Sequence, residues 1–292
     1  MTPAPLTGAK ILLTGVTGQV AGPLARNLVA AGNTVYGTSR FADADARSKV
    51  AADGVIPVAI DLETGSFDEI PDGLDYVINM AVAKSNNFDR DLAANAEGVA
   101  LLIERVKGVK AFFHCSSCAV YEPNGHVSHV ETDDLGDNHR AMGFMTTYSI
   151  SKIAAESAVR YASKRFGVPA VIARLDVPYG PSHGWPQMMV TLAQMGIPTT
   201  ISADAPNTHC FLHDRDILGP TSDLQLVRTG VGEYRRMDRR DDSTHRRGDS
   251  PRRERTVHST KPRRPVEASW PRMEAHCRMA RGIPRNGSDQ LP

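Results

Sequence analysis

No uninterrupted apolar run in this 292-residue chain approaches the ~18 to 20 residues that a membrane span requires, and the opening "MTPAPLTGAK" carries no apolar signal-like core. Both absences lead us to expect a soluble, cytoplasmic protein with no membrane partner. Cysteine is scarce. The four, at 115, 118, 210 and 277, do not make a disulfide framework, which agrees with a reducing compartment. Aromatic residues are only 6% of the chain, a thin supply for stacking nucleic-acid bases. What the chain does have is 41% apolar content, enough for a substantial core.

The net charge of +1 conceals an asymmetry. Of the 34 Lys and Arg residues 17 lie from Asp223 onward, with only 10 of the 33 acids, so that segment carries +7 and the first 222 residues −6. The two parts are different material.

From Lys10 the pattern alternates apolar runs with amphipathic stretches at the spacing of β-α-β units. Strands are expected at Lys10–Gly15, Asn33–Ser39, Val55–Asp61, Asp75–Val82, Ala111–Ser117 and Ala170–Asp176. Between them, Leu24, Leu28 and Val29 share a helical face before the stop at Ala31-Gly32, and Leu92, Asn95, Val99, Leu102 and Val106 recur at spacings of three and four. Thr147 to Phe166 reads as a long helix ended by Gly167. The alternation predicts an α/β fold, a Rossmann-like doubly wound parallel sheet covered by helices on both faces. We divide the chain into a dinucleotide-binding domain (1–180), a small and incomplete substrate lobe (181–228) and an arginine-rich tail (229–292). From Arg235 to Pro265 the only apolar residues are Met237 and Val257, so no element there can bury a face.

Two motifs carry chemistry. "TGVTGQVA", Thr14 to Ala21, follows the first strand and opens the first helix. Its G-x-x-G-x-x-A spacing lets Gly15 make the tight turn, Gly18 admit a pyrophosphate to the backbone and Ala21 keep helix and strand close, with a helix N-terminus facing the anion. No Asp or Glu occurs between Gly15 and Asp43; "TSRF" instead offers Ser39 and Arg40. A guanidinium with a hydroxyl suits a 2′-phosphate, which favours NADP, with NAD still open. The second motif is "YSISK", in which Tyr148 and Lys152 share a helix face. There an ammonium, with a positive nicotinamide ring, would lower a phenol whose reference pKa is about 10.

"HCSSCAVY", His114 to Tyr121, presents a C-x-x-C and a serine pair at once. In context it resembles the S-S-x-x-V-Y of the extended short-chain dehydrogenase/reductase family, also called the NAD-dependent epimerase/dehydratase family. The resemblance runs over about Ala9 to Pro220 and rests on motifs in order: the glycine turn, Asp61-Leu62 after the third strand, "VINMAV", Asn95 in "NAEGVALL", "SSCAVY", Y-x-x-x-K and "RLDVPYGP". It implies that Ser117 hydrogen-bonds the substrate oxygen, that Tyr148 is the acid/base, that Lys152 holds the nicotinamide ribose, and that Asn95 supports the proton relay. It implies cofactor contacts at Gly15, Thr17, Gly18, Gln19, Val20, Ser39, Arg40, Asp61, Leu62, Ala81, Tyr148, Lys152 and Pro178, with Asp61 accepting from the adenine amino group.

The implied activity is hydride transfer at a carbinol or carbonyl carbon of a small molecule, as net oxidoreduction or internal epimerisation, by a chain that forms a homodimer. A sugar-nucleotide substrate is in question, because "THCFLHDRDI" has Thr208, His209 and Cys210 where such members carry a base before the phenylalanine, and Asp216 at the family's second acid. His209 is a stand-in for that base, and His213 reads as structural. No metal is expected: Cys115 and Cys118 have no second C-x-x-C to complete a tetrahedral site. Three readings fit the tail: a disordered extension, a phosphate-binding arm interrupted by Asp241, Asp242, Asp249 and Glu254, and a reading-frame slip near Leu224 to Gly232. A dinucleotide-binding protein without turnover and a nucleic-acid binder are the alternatives from other classes.

Overall fold

The structure is a computed structural model that describes residues 6–125, 127–141, 145–181, 183–198, 210–214 and 217. His209, Asp216, Cys277 and the arginine-rich tail lie outside the described residues.

Six strands form one parallel sheet: β1 (Lys10–Thr14), β2 (Thr34–Ser39), β3 (Ile56–Ala59), β4 (Tyr76–Asn79), β5 (Ala111–Ser117) and β6 (Ala170–Leu175), in the order β3-β2-β1-β4-β5-β6. The order reverses between β1 and β4, and a doubly wound sheet opens its ligand crevice at such a switch point. Each predicted strand is present, most of them shortened by a residue or more at the ends.

Period-two alternation decides which side chains go to which face. Ile11 and Leu13 of β1 join Val35, Ile78 and Phe113 beneath α1 (Ala21–Ala30) and α2 (Ala44–Ala52). Leu12 points the other way, to Val77 and Phe112, beneath α4 (Gly98–Arg105) and α5 (Tyr148–Phe166). Phe112, Leu12, Leu102 and Ile103 are fully buried, and burying each such side chain is worth about 1.5 to 3 kcal/mol. Gly167 ends α5 at φ +70°, the left-handed geometry that makes glycine the usual helix stop.

Ahead of α4, the short α3 (Phe88–Leu92) runs into a π-helical turn, Ala93–Glu97. Nothing in the apolar spacing announces that turn. After β6 a small second sheet has the order β8-β7-β9, with β7 (Val177–Gly180), β8 (His183–Gly184) and β9 (Phe211–His213), and α6 (Trp185–Gln194) beside it. His213 packs edge-on to Tyr179 at 5.0 Å, a structural contact. No helix among the described residues is long and apolar enough to cross a membrane.

Candidate functional site

The sheet's C-terminal edge is organised by a buried polar chain. The Thr14 hydroxyl accepts the Met80 and Ala81 amides, both at 3.0 Å, so its own proton goes to Asn79 Oδ1 at 2.6 Å. That fixes the Asn79 amide with Nδ2 toward His114 Nδ1 at 2.9 Å. His114 is therefore neutral with its proton on Nε2. Burial, and then the nearby Lys152 ammonium, push its pKa well below the ordinary value. Three strands are thus tied together where the crevice opens.

Gly15 sits in that crevice at φ +73°, and a Cβ there would lie 2.9 Å from Ala81 Cα. Both the dihedral and the close approach of the Met80–Ala81 backbone just past β4 disfavour any side chain. Gly18 closes the turn, its amide on the Gly15 carbonyl at 2.8 Å, and a Cβ there would meet that oxygen at 3.0 Å. α1 then begins with no side-chain cap and no acid in its first turn. The Gly22 amide is held by the Gly18 carbonyl at 3.0 Å and Pro23 has no N–H, so it is chiefly the positive end of the helix dipole that faces outward, and these residues fit a dinucleotide pyrophosphate. Gly15→Ala is expected to cost about 1 to 3 kcal/mol from the left-handed dihedral alone. Thermal unfolding and cofactor titration of the variant would show lower stability and affinity together.

Beside the glycine turn, Thr17 Oγ1 lies 3.4 Å from Ser39 Oγ, and Gln19 and Arg40 are exposed. Asp61 Oδ1 accepts the Glu63 amide at 2.9 Å. Leu62 packs so close to α4 that a Cβ on Gly98 would overlap its carbonyl oxygen. Glu63 is bound through both oxygens by Arg90 at 2.8 and 3.0 Å. Its carboxyl is held low chiefly by Arg90, with Arg40 adding to the effect, which puts the Arg40 charge beside this cluster. Pro178 lies in β7, level with Leu212.

The other end of the crevice gathers Ser117, Tyr148, Lys152 and Asn95. Ser117 ends β5, and its hydroxyl accepts the Ala119 amide at 3.2 Å in the 3-10 turn Cys118–Val120. Asn95, in the π-turn, pairs with both backbone groups of Ala83, accepting its N–H at 2.7 Å and donating to its carbonyl at 2.9 Å. Asn95 Nδ2 also lies 3.2 Å from Ser151 Oγ, which donates to the Tyr148 carbonyl at 3.0 Å. Lys152 is 3% exposed and donates to the Cys115 carbonyl at 2.7 Å; burial lowers its pKa.

The expected lowering of Tyr148 does not come from the chain's own groups. Burial raises the phenol to about 12, with the Ser117 hydrogen bond opposing and the Cys115 and Cys118 thiols adding to the rise. The polypeptide alone leaves Tyr148 an acid. Burial also raises both thiols, Cys118 to about 11, which makes them poor nucleophiles. No group of three or more metal-ligating side chains occurs among the described residues.

Sequence reasoning missed four participants. Lys84 holds its ammonium 5.3 Å from the Tyr148 ring centroid, and His139 meets that ring edge-on at 5.1 Å. Asp91, fully buried, accepts from Ser85 and Asn86 in the loop after β4 and from the Thr147 hydroxyl at 2.6 Å. It joins the Lys84 loop to the start of α5. Glu156, also fully buried, accepts from the Ser116 hydroxyl at 2.6 Å and forms two bonds with Arg174 at 2.9 and 2.7 Å. Charged residues on a helix read as solvent-facing, so only the i+4 spacing of Glu156 from Lys152 gave a signal.

The architecture agrees with what comparison finds. In Arabidopsis thaliana a trifunctional UDP-glucose 4,6-dehydratase/UDP-4-keto-6-deoxy-D-glucose 3,5-epimerase/UDP-4-keto-L-rhamnose-reductase is 29% identical over 132 residues, 42% of this chain and 19% of that protein. A GDP-mannose 3,5-epimerase from the same plant is 23% identical over 189 residues, 62% of this chain and 50% of that protein. The chain thus spans half or less of these curated relatives. A crystal structure of UDP-glucuronic acid 4-epimerase from Bacillus cereus, with UDP-glucuronic acid and NAD, superposes with a TM-score of 0.62 at 22% identity. It covers 77% of this chain and 76% of that one. A dTDP-glucose 4,6-dehydratase from Bacillus anthracis in complex with NAD gives a TM-score of 0.63 at 18% identity, covering 78% and 74%. The model of the NAD dependent epimerase/dehydratase family matches residues 11–201, and the chain belongs to that family.

Proposed function

We propose that this chain is an NAD(P)-dependent oxidoreductase or epimerase that moves hydride at a carbinol or carbonyl carbon of a nucleotide-linked sugar. The observation that carries this reading is the convergence of Ser117, Tyr148, Lys152 and Asn95 at the end of the crevice that Gly15 opens. The UDP- and GDP-sugar activities of the relatives support the substrate class, as does the nucleotide sugar bound by the 4-epimerase.

The pyrophosphate would lie on the Gly15–Gly18 turn and the N-terminus of α1, with Thr17, Gln19 and Val20 around it and Asp61 and Leu62 at the adenine. When bound, the cofactor supplies a carbon that accepts or returns hydride. The rest is the work of side chains. Ser117 and Tyr148 hold the substrate oxygen from two sides, and Tyr148 takes or gives its proton. Lys152 lies one helical turn along α5 from Tyr148, where it would hold the cofactor ribose and add positive charge. Asn95 fixes the spacing by clamping Ala83 to α5 through Ser151. Residues 1–180 would form the cofactor domain and 181–228 the substrate lobe.

At the ribose, Ser39 and exposed Arg40 favour a 2′-phosphate and hence NADP, whereas the solved neighbours carry NAD. Calorimetric titration decides. NADP is expected to bind about tenfold or more tighter than NAD, since a charged hydrogen bond contributes about 1.5 to 3 kcal/mol. Arg40→Ala would erase the difference. Equal or tighter binding of NAD to the unaltered chain assigns the site to NAD.

The function itself is tested by adding NAD or NADP with UDP-glucose or UDP-glucuronic acid and recording the absorbance of the reduced cofactor and the sugar products. Absence of both reduction and interconversion with either sugar, on protein that binds cofactor, counts against the reading.

A further inference from the structure

Hydride transfer uses Ser117, Tyr148 and Lys152 and leaves His139 without a task. Its surroundings fix its protonation. Asn138 Nδ2 donates to the Tyr121 carbonyl at 3.2 Å, so the amide is oriented and Oδ1 faces His139 Nδ1 at 2.6 Å. A carbonyl oxygen only accepts, so Nδ1 carries the proton. The Ser149 hydroxyl, 2.8 Å from Nδ1, donates to the Ala119 carbonyl at 2.7 Å and accepts from the imidazole.

A neutral ring therefore has its lone pair on Nε2. No bond from a described residue to that atom is found, the ring is partly exposed, and it meets the Tyr148 ring edge-on at 5.1 Å. Burial lowers the His139 pKa, with Asp137 opposing and the Lys84 ammonium assisting, so the ring is neutral near pH 7. Tyr148, pushed up to about 12, stays a phenol that can donate to an oxygen. A neutral base beside two donors that share one oxygen is the arrangement that proton removal next to a carbonyl requires.

We propose that His139 is a second base of this site, taking a proton from the carbon adjacent to the carbonyl that hydride transfer creates. The inference rests on the reading above in one respect, that Ser117 and Tyr148 hold the reacting oxygen. The C–H bond breaks, its electron pair moves onto the carbonyl oxygen between Ser117 and Tyr148, and the proton passes to Nε2. Return of that proton from Nε2 restores the ketone unchanged, whereas a proton taken from water on the opposite face inverts the carbon, with Nε2 giving its own proton to the hydroxide that remains. No electrons are gained or lost in the step, so no further oxidant is needed. The substrate class is nucleotide-linked keto-sugars with a hydrogen beside the carbonyl, and the outcome is epimerisation at that neighbouring carbon.

The test bypasses hydride transfer by supplying the ketone. Full-length protein is incubated in D2O with UDP-4-keto-6-deoxy-D-glucose and the sugar is followed by mass spectrometry. Deuterium is expected to enter above the protein-free rate. His139→Gln is expected to slow this by about 100-fold or more while melting at the same temperature, and added imidazole would restore exchange in His139→Ala. Exchange at the protein-free rate, or equal exchange in His139→Gln, overturns the proposal. A parallel measurement with UDP-glucose and NAD separates the two ideas. Reduced cofactor without exchange on the ketone leaves hydride transfer standing and removes His139, while exchange without reduced cofactor does the reverse.

Discussion

Tyr148→Phe is expected to lower nucleotide-sugar turnover by about 100- to 10,000-fold and to change cofactor affinity by less than about threefold. The substitution removes one hydroxyl from a ring already held by its surroundings: His139 against its edge, Lys84 over its face and α5 beneath it. The fold has no reason to respond. The chemistry does, because the phenol is the group that exchanges a proton with the substrate oxygen.

With the phenol raised to about 12 by the chain alone, only about one molecule in 100,000 would carry the tyrosinate at pH 7. As long as the phenol stays above the working pH when cofactor is bound, a step that needs the base form should gain about tenfold per pH unit through neutrality, and a flattening of that slope marks how far the cofactor's charge lowers it. That slope should vanish in the phenylalanine variant. Stopped-flow rates of cofactor reduction across pH 6 to 9 provide the check. Turnover by Tyr148→Phe at the wild-type rate would leave the crevice as a cofactor-binding site with no catalytic tyrosine.

The second large effect is on stability. Glu156→Leu is expected to destabilise the fold by about 3 kcal/mol or more, because it leaves the largely buried Arg174 guanidinium without its counter-charge. The same carboxylate is reached by Arg160 at 3.2 Å and by the Ser116 hydroxyl, so one substitution loosens α5, β5 and β6 at once. Melting temperature should fall by roughly 10 °C or more.

The double variant Glu156→Leu with Arg174→Met should recover most of that loss, since a buried ion pair replaced by apolar side chains of similar size is often neutral or better. Calorimetry of the single and double variants makes the comparison, and equal melting in wild type and Glu156→Leu would remove the pair from any role in stability. Burial alone would raise the Glu156 carboxyl, but Arg174 and Ser116, with Arg160, outweigh it and hold it below its ordinary value of 4.5. A lowered carboxylate stabilises fully above its unfolded value, so this contribution is intact at neutrality and is lost as pH falls below about 4.5.

The parallel sheet was legible because apolar runs of four to seven residues recur between amphipathic stretches, and Ala111–Ser117 emerged with the boundaries expected. Motif spacing likewise brought Gly15, Asn95, Ser117, Tyr148 and Lys152 to one crevice, although they are up to 137 positions apart. What stayed hidden depends on partners distant in the chain. Glu156 looks like any charged helical residue until Arg174 and Ser116 fold against it. His139 sits in a loop with no periodicity, and its tautomer follows from an amide anchored on Tyr121. The rise of Tyr148 in the chain alone was hidden for the same reason: spacing gives the Tyr148 and Lys152 positions on the helix but not the depth at which each is buried.

The π-helical turn at Ala93–Glu97 has a geometric consequence of its own. An extra residue in a helix with 3.6 residues per turn advances everything beyond it by about 100°. Before that offset, Asp91 faces the loop after β4 and Asn95 grips Ala83; after it, Val99, Leu102, Ile103 and Val106 all turn to the core. An unbroken helix could satisfy one set or the other. The single added residue acts as a phase shifter, allowing one continuous rod to serve polar contacts at one end and oily packing at the other. Deleting one residue from Ala93–Glu97 would put the two ends back in phase and oblige the protein to give up one of its two faces.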